Sequence, residues 1–186
     1  MPTPPTPAAL QRAGFTLIEM MISLAVLCVL GVIALPSLGA MVSRQRLQAA
    51  AHGLQADVSL ARQASAQRGQ PVHLRFMPGA DWCYQLGTGP GSDCRQAAPS
   101  GADGVLRTVR AADHPGIALT EATPFVVDSS RPDALPGDGL RGQALFVARD
   151  GLQLQVSIGP QSRAWLCSPG LPLPGTPPCP PPPAGS

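Results

Sequence analysis

The 186-residue chain contains no lysine and few aromatic residues. Its 13 arginines stand against 11 acidic residues, so the formal net charge is only +2. That excess is too small to indicate nucleic-acid binding by itself, since nucleic-acid-binding domains usually concentrate more positive charge on one face. In contrast, 23 prolines and 20 glycines are present. This composition predicts many turns and a loop-rich carboxyl-terminal half.

Motifs for catalysis or metal binding are also missing. Ser, His and Asp occur, but no pattern joins a nucleophile to a base. The Gly-rich stretch "GTGPGS" at 87–92 lacks the lysine of a phosphate-binding loop. There is no Cys-x-x-Cys spacing, and His52, His73 and His114 are scattered. We therefore predict no enzyme activity, no catalytic residue, no metal site and no cofactor.

Five cysteines are present, and four of them lie outside the apolar amino-terminal run that holds Cys28. Cys83, Cys94, Cys167 and Cys179 allow three pairings, among which the sequence does not choose. The sequence-local pairing is the simplest, and each bridge would then close a loop of about a dozen residues, stabilising the fold by about 3 kcal/mol. Because disulfides need an oxidising compartment, the cysteines predict an exported domain.

A single long apolar run covers residues 15–35 and contains one charge, Glu19. A helix of that length is about 31 Å long, close to the thickness of a bilayer's hydrocarbon core. One interpretation is a cleaved secretory signal with "LGA" at 38–40 as its cleavage site, although signal cores are usually only about 7–15 residues. Another is an ordinary single-span anchor. Neither explains a carboxylate near the start of the run.

The stretch "GFTLIE" at 14–19 resembles the type IV prepilin processing motif. The resemblance implies that a dedicated peptidase cleaves after Gly14 and methylates the new amino terminus, Phe15. Glu19 is then the fifth residue of the mature chain, and its carboxylate would meet the Phe15 ammonium of a neighbouring subunit. Two such charges about 4 Å apart attract by about 4 kcal/mol at an effective dielectric constant near 20. Pro36 matches a proline of pilin helices and is expected to kink or locally melt the helix.

Beyond Pro36 the pattern predicts an amphipathic helix. Apolar residues recur at alternating spacings of four and three, as on the buried face of a helix, at Leu47, Ala51, Leu54, Val58 and Ala61. This stripe weakens at Ser65, and Gly69 followed by Pro71 is a stop signal. We therefore predict one helix over about residues 15–68, first in lipid and then packed on the exported domain.

Short strands are predicted after the helix. The candidate segments are 72–76, 82–86, 105–110, 117–120, 125–127 and 163–167. Asp150 and Gly151 form the strongest hairpin signal, and a two-residue turn there would pair Val147 with Leu154. The Pro-rich tail is predicted to be extended and largely solvated, and to be held near the body only if Cys179 is bridged. The predicted fold class is α+β, with the long helix packed on an antiparallel sheet.

The segment "LQADVSLARQASAQRGQPVHLRF" at 54–76 resembles the GspH/FimT group of minor pseudopilins and minor pilins. The matching positions are Ala61, Arg62, Arg68, Pro71 and Val72, whereas Ala64 and Ser65 depart from the pattern. The resemblance implies a pilin-like protein in four parts: a cleaved leader (1–14), a transmembrane helix (15–36), a periplasmic α+β domain (37–168) and the Pro-rich tail (169–186).

The same resemblance implies a structural role. Such subunits lie at the tip of a type II secretion pseudopilus or a type IV pilus and prime its assembly. The implied partners are the prepilin peptidase, other major and minor pseudopilins or pilins, and the inner-membrane assembly platform with its ATPase. The alternative is a FimT-like minor pilin that binds DNA for uptake. The exported part holds all 13 arginines but Arg12 and all 11 acids but Glu19, so a clustered basic face is not evident.

Overall fold

The computed structural model describes residues 16–89, 93–96, 104–129, 142–159 and 162–180, without the side chains of 32–38. The chain divides into two compact units, Met1–Gly39 and Ala40–Ser186, which are treated separately below. The predicted processing site, Gly14 and Phe15, lies outside the described residues.

One α-helix, α1, spans Leu17–Arg68 and has residues in both units. This extent agrees with the helix predicted over about 15–68. The helix ends where Gly69 adopts φ +62° and donates its N–H to the Ser65 carbonyl at 2.9 Å, which is the left-handed cap expected of a glycine after a helix. Pro36 falls inside the helical range, so the helix is not interrupted there, and the kink stays a prediction.

In the part of the chain that the structure describes, eight strands follow α1 and form two four-stranded sheets. Their bounds are β1 Val72–Met77, β2 Cys83–Gly87, β3 Val105–Arg110, β4 Ile117–Ala122, β5 Phe125–Val127, β6 Gly142–Ala148, β7 Gln153–Ile158 and β8 Ala164–Cys167. The strand orders are β3-β2-β1-β5 and β4-β6-β7-β8, and every pairing of these strands is antiparallel. The predicted α+β class with antiparallel pairing is confirmed.

A single core in the second unit joins the helix to both sheets. The predicted stripe lies within it, since none of its five residues is more than 1% exposed: Leu47, Ala51, Leu54, Val58 and Ala61. Trp82 links the two sheets, because its ring meets Phe146 of β6 edge-to-face at 5.7 Å and its Nε1–H donates to the Ile117 carbonyl at 2.8 Å. Burying such side chains supplies most of the stabilisation of a domain of this size.

The hairpin between β6 and β7 has a different register from the one predicted. Ala148 donates its N–H to the Leu152 carbonyl, and Gly151 donates to the Ala148 carbonyl, both at 2.9 Å. With Gly151 at φ +82°, the loop is a three-residue turn with a glycine bulge. Phe146 therefore pairs with Leu154, and the predicted Val147–Leu154 pair is wrong. A shift of one residue exchanges the two faces of a strand, so Phe146 is buried where Val147 was expected.

The two disulfides follow the sequence-local pairing, the simplest of the three that the sequence allows. Cys83 is joined to Cys94 with Cα atoms 6.0 Å apart, and Cys167 to Cys179 with Cα atoms 4.7 Å apart. Cys28 is a free, exposed thiol. The bridges tie two loops of the second unit back to strands β2 and β8 and reduce the freedom of the unfolded chain.

The described part of the carboxyl-terminal segment is largely exposed, as predicted for the tail of 169–186, but it is attached to the body of the second unit. Within its described part, the side chain of Leu173 is only 3% exposed and belongs to the core. Ser168 donates its N–H to the Pro177 carbonyl and accepts from the Cys179 N–H. The segment therefore covers the end of edge strand β8, which would otherwise expose unpaired backbone groups. The Cys167–Cys179 bridge meets the condition under which the sequence predicted that the tail is held near the body.

We expect Gly142→Ala to destabilise the protein by about 1–2 kcal/mol, because an added methyl overpacks the core. A Cβ at position 142 would lie 2.6 Å from the ring of Phe125. Gly53→Ala is the matched control, since it adds the same methyl inside α1 with no atom within 4 Å and should stabilise by about 0.5–1 kcal/mol. Urea unfolding of the full chain in detergent measures both. Equal shifts of the two midpoints would contradict the packing at Gly142.

Candidate functional site

Glu19 lies in the first turn of α1. Thr16 caps this helix, because its Oγ1 accepts the Glu19 N–H at 3.3 Å and its carbonyl accepts the Met20 N–H at 3.2 Å. Ser23 donates its hydroxyl to the Glu19 carbonyl at 2.7 Å. A threonine cap followed by glutamate three residues later is the pattern of a capping box, and a carboxylate here also complements the helix dipole. A local structural role for Glu19 therefore has to be separated from a role in assembly.

The helix surface around Glu19 is apolar and uncovered. Ten large apolar side chains between Leu17 and Leu30 are more than half exposed, from 51% at Val26 to 79% at Leu17. Adjacent positions such as Met20, Met21 and Ile22 belong to this set, so the exposure covers all faces of the helix. A helix that is apolar all round normally lies in an apolar environment, and exposed apolar surface of this extent marks an interaction region.

Nothing in the described residues neutralises the charge of Glu19. The single ion pair among those residues joins Arg107 and Asp57 in the second unit, and Glu19 is exposed. Among the same residues, no helical stretch is both long enough and apolar enough to cross a membrane. The predicted span of 15–36 includes residue 15 and the side chains of 32–36, which fall outside the described part of the chain.

A second group of charged residues lies inside the second unit and was not predicted. Asp57 of α1 is 1% exposed and accepts a hydrogen bond from the Tyr84 hydroxyl at 2.8 Å. Its other carboxylate oxygen is 3.2 Å from Nη1 of Arg107 on β3, whose side chain is 52% exposed. The three side chains tie the helix to two adjacent strands of one sheet. The sequence did contain a signal for a buried carboxylate at this position, because Asp57 follows Leu54 by three residues and so lies on the buried face of the helix.

Burial perturbs the proton affinities of this group. Desolvation raises the pKa of Asp57 above its ordinary value, although the hydrogen bond from Tyr84 and the charge of Arg107 oppose the change. The pKa of Tyr84 is also raised above its ordinary value, mainly by burial and to a smaller extent by the neighbouring Asp57 carboxylate. Because the Tyr84 hydroxyl must stay protonated to donate, the group acts as a buried structural lock rather than as an acid–base pair.

The predicted disulfide cysteines are structural rather than metal-binding. Cys83, Asp93 and Cys94 have ligand atoms close enough together to hold a metal ion. Cys83 and Cys94 are joined in a disulfide, however, and metals bind the thiolate. Both disulfide bridges lie in the second unit, whereas Glu19 lies in the first.

Comparison with known protein families gives one match, to the prokaryotic N-terminal methylation motif, over residues 10–35. The matched segment includes Gly14, Phe15 and Glu19, and it ends just before Pro36. The chain therefore carries a type IV prepilin-like signal, which indicates a pilin-like protein. No significant match was found among curated proteins or among solved structures.

Proposed function

We propose that this protein is a minor pseudopilin or minor pilin, a structural subunit at the tip of a type II secretion pseudopilus or a type IV pilus. The observation that carries the proposal is Glu19, a single carboxylate in an exposed apolar helix that bears a methylation motif. In this role the leader 1–14 is removed after Gly14, and Phe15 becomes the methylated amino terminus. Residues 15–36 anchor the chain in the inner membrane before assembly.

The proposed function gives Glu19 a partner. Maturation creates an ammonium at Phe15, and a charge of either sign is costly in an apolar environment. When subunits stack, the Glu19 carboxylate of one subunit lies against the ammonium of the next, and each charge compensates the other. The exposed apolar side chains around Glu19 pack against neighbouring helices in the same assembly. Partners are thus the prepilin peptidase, the other pilin-like subunits and the assembly platform.

The disulfides support export of the second unit. Cys83–Cys94 and Cys167–Cys179 both lie in Ala40–Ser186, and such bonds persist in the periplasm rather than in the cytoplasm. The buried lock of Asp57, Tyr84 and Arg107 contributes to a rigid body, as a structural subunit requires. DNA uptake receives less support, because the near balance of arginines and acids beyond the leader provides little of the cationic surface that binds phosphates.

We expect Gly14→Val to leave the leader attached, because a branched side chain at the cleaved bond obstructs the peptidase. Gly14→Ala is the matched control and should retain most of the processing, since a methyl is the smallest possible addition. Intact mass spectrometry of the membrane fraction, with and without the prepilin peptidase, measures the fraction cleaved. Efficient cleavage of the valine variant, or peptidase-independent cleavage of the wild type, would contradict the proposed function.

A further inference from the structure

An open groove lies in the second unit between α1 and the start of β8. Its volume is about 400 Å³. The polar residues lining it come from three turns of the helix and from the approach to the strand: His52, Gln55, Ser59, Arg62, Ser162 and Arg163. The lining contains two arginines and no carboxylate. The groove is therefore a local concentration of positive charge on a unit whose total charge is nearly balanced.

The two arginines of the groove have no partner for their guanidinium groups among the described residues. Some arginines of the unit have such partners, for example Arg75, which donates to the Gly89 carbonyl, and Arg110, which donates to the Cys94 carbonyl. In contrast, Arg62 and Arg163 are exposed, and the one ion pair of the described chain involves neither of them. Free guanidinium groups facing one groove can bind an anion jointly.

Ser162 provides a second indication of a binding site. It is 4% exposed, lines the groove, and its hydroxyl has no hydrogen-bond partner within the described part of the chain. Its φ of +53° is the single positive value at a non-glycine residue there. A buried hydroxyl without a partner and a left-handed backbone at a residue other than glycine are each unfavourable. Both are features that occur where a ligand supplies the missing contact.

One hydrogen bond joins the two sides of the groove. The Gln55 amide donates its Nε2–H to the Ala164 carbonyl at 3.0 Å, so one side chain of α1 is fixed to the outer edge of β8. His52 Nδ1 lies 3.3 Å from Gln55 Oε1. The Gln55–Ala164 bond joins the helix to the strand, and the His52 contact orients the Gln55 amide, so the backbone around the groove is set before any ligand binds, which lowers the cost of binding.

We infer that this groove binds a carboxylate side chain or chain terminus of another pilin-like subunit, an inference that depends on the proposed function for the identity of the partner. A volume of about 400 Å³ accommodates one or two side chains. Two arginines and a serine hydroxyl suit a carboxylate, which accepts bidentate bonds. Nucleic acid fits less well, because its affinity arises from many phosphate contacts spread over a basic surface, and this groove presents two arginines.

The test uses the full chain in non-ionic detergent and a fluorescein-labelled tetra-aspartate peptide. We expect the peptide to bind, with a Kd at least tenfold weaker for Arg62→Gln and for Arg163→Gln. Arg149→Gln, which removes an exposed arginine outside the groove, should leave the Kd unchanged. A tetra-asparagine peptide should not bind. No binding of tetra-aspartate, or equal affinities for the variants and the wild type, would overturn the inference.

Two further measurements identify the source of the anion. A twelve-residue deoxythymidine oligonucleotide that binds more tightly than tetra-aspartate, and loses affinity in the same variants, would overturn the carboxylate assignment in favour of nucleic acid. In cells, the double variant Arg62→Gln/Arg163→Gln should reduce co-isolation of other pilin-like subunits at least threefold while Phe15 is still methylated. Unchanged co-isolation would overturn the partner assignment. Absence of methylation in the wild type would instead count against the proposed function and leave peptide binding unaffected.

Discussion

Glu19→Ala is expected to leave the chain processed and held in the membrane, but to lower its recovery in assembled filaments at least tenfold. The physical reason is the loss of an attraction of about 4 kcal/mol between the carboxylate and the ammonium of a neighbour. A loss of only about 1.4 kcal/mol already lowers an association constant tenfold. Quantitative immunoblotting of sheared filaments, relative to the membrane fraction, measures the effect. Recovery close to that of the wild type would exclude the ion pair.

Glu19→Gln separates assembly from helix capping. The bond to Thr16 Oγ1 uses the backbone N–H of residue 19, and glutamine can also occupy the third position of a capping box, so the cap should survive while the charge is lost. We expect this variant to assemble as poorly as Glu19→Ala. If it assembles normally, Glu19 acts only on its own helix. Glu121→Ala removes the other glutamate of the chain, on β4 in the second unit, and should have no effect on recovery.

Asp57→Ala should have the largest effect on the stability of the second unit, at about 2–3 kcal/mol. The substitution leaves the buried Tyr84 hydroxyl without its acceptor, and such an unsatisfied group costs about 1–3 kcal/mol in addition to the small cavity. Arg107 adds little to the cost because its half-exposed side chain can turn to water. Urea unfolding of the full chain in detergent, followed by the fluorescence of buried Trp82, provides the midpoint and slope.

Two variants distinguish the hydrogen bond from the charge. Asp57→Asn keeps an oxygen that can accept from Tyr84, so it should cost less than about 1 kcal/mol. Asp57→Leu combined with Tyr84→Phe removes donor and acceptor together and should recover at least half of the loss seen in Asp57→Ala, because no buried polar group remains unpaired. An Asp57→Ala chain within about 0.5 kcal/mol of the wild type would refute the proposed lock.

The same carboxyl group should make stability depend on pH. Burial raises the pKa of Asp57 above 3.8, so the folded protein binds this proton more tightly than the unfolded chain. The contribution of Asp57 is then most favourable below that value and is lost as the pH rises through the folded-state pKa. The stability of the wild type relative to Asp57→Asn should therefore fall as the pH rises from 3.8 through the folded-state pKa. A relative stability that rises over this interval would reverse the assigned direction.

Local patterns predicted most of the secondary structure. The apolar stripe from Leu47 to Ala61 gave the buried face of α1, and Gly69 gave its end, because each depends on residues within one or two turns. Most strands begin and end within two residues of the predicted bounds. The β6–β7 register was missed because a glycine at φ +82° adds one residue to the turn, and composition does not distinguish a two-residue from a three-residue loop.

Features that depend on distant residues could not be predicted in the same way. Strand β5 follows β4 closely in sequence but pairs with β1 in the other sheet. Asp57 meets Tyr84 and Arg107 only after the helix has docked on the sheet, and Arg62 faces Arg163 across a groove for the same reason. The methylation motif was different, because Gly14, Phe15 and Glu19 lie within six positions and a local sequence pattern is enough to relate them.

Mass spectrometry of the mature chain, isolated from cells that contain the prepilin peptidase, tests the central claim most directly. We predict that the first residue is Phe15 and that its amino group carries one methyl. That terminus places an ammonium one helical turn before Glu19 and supplies the charge that the carboxylate answers in a neighbouring subunit. A mature chain that begins at any other residue, or at Phe15 without the methyl group, would contradict the claim.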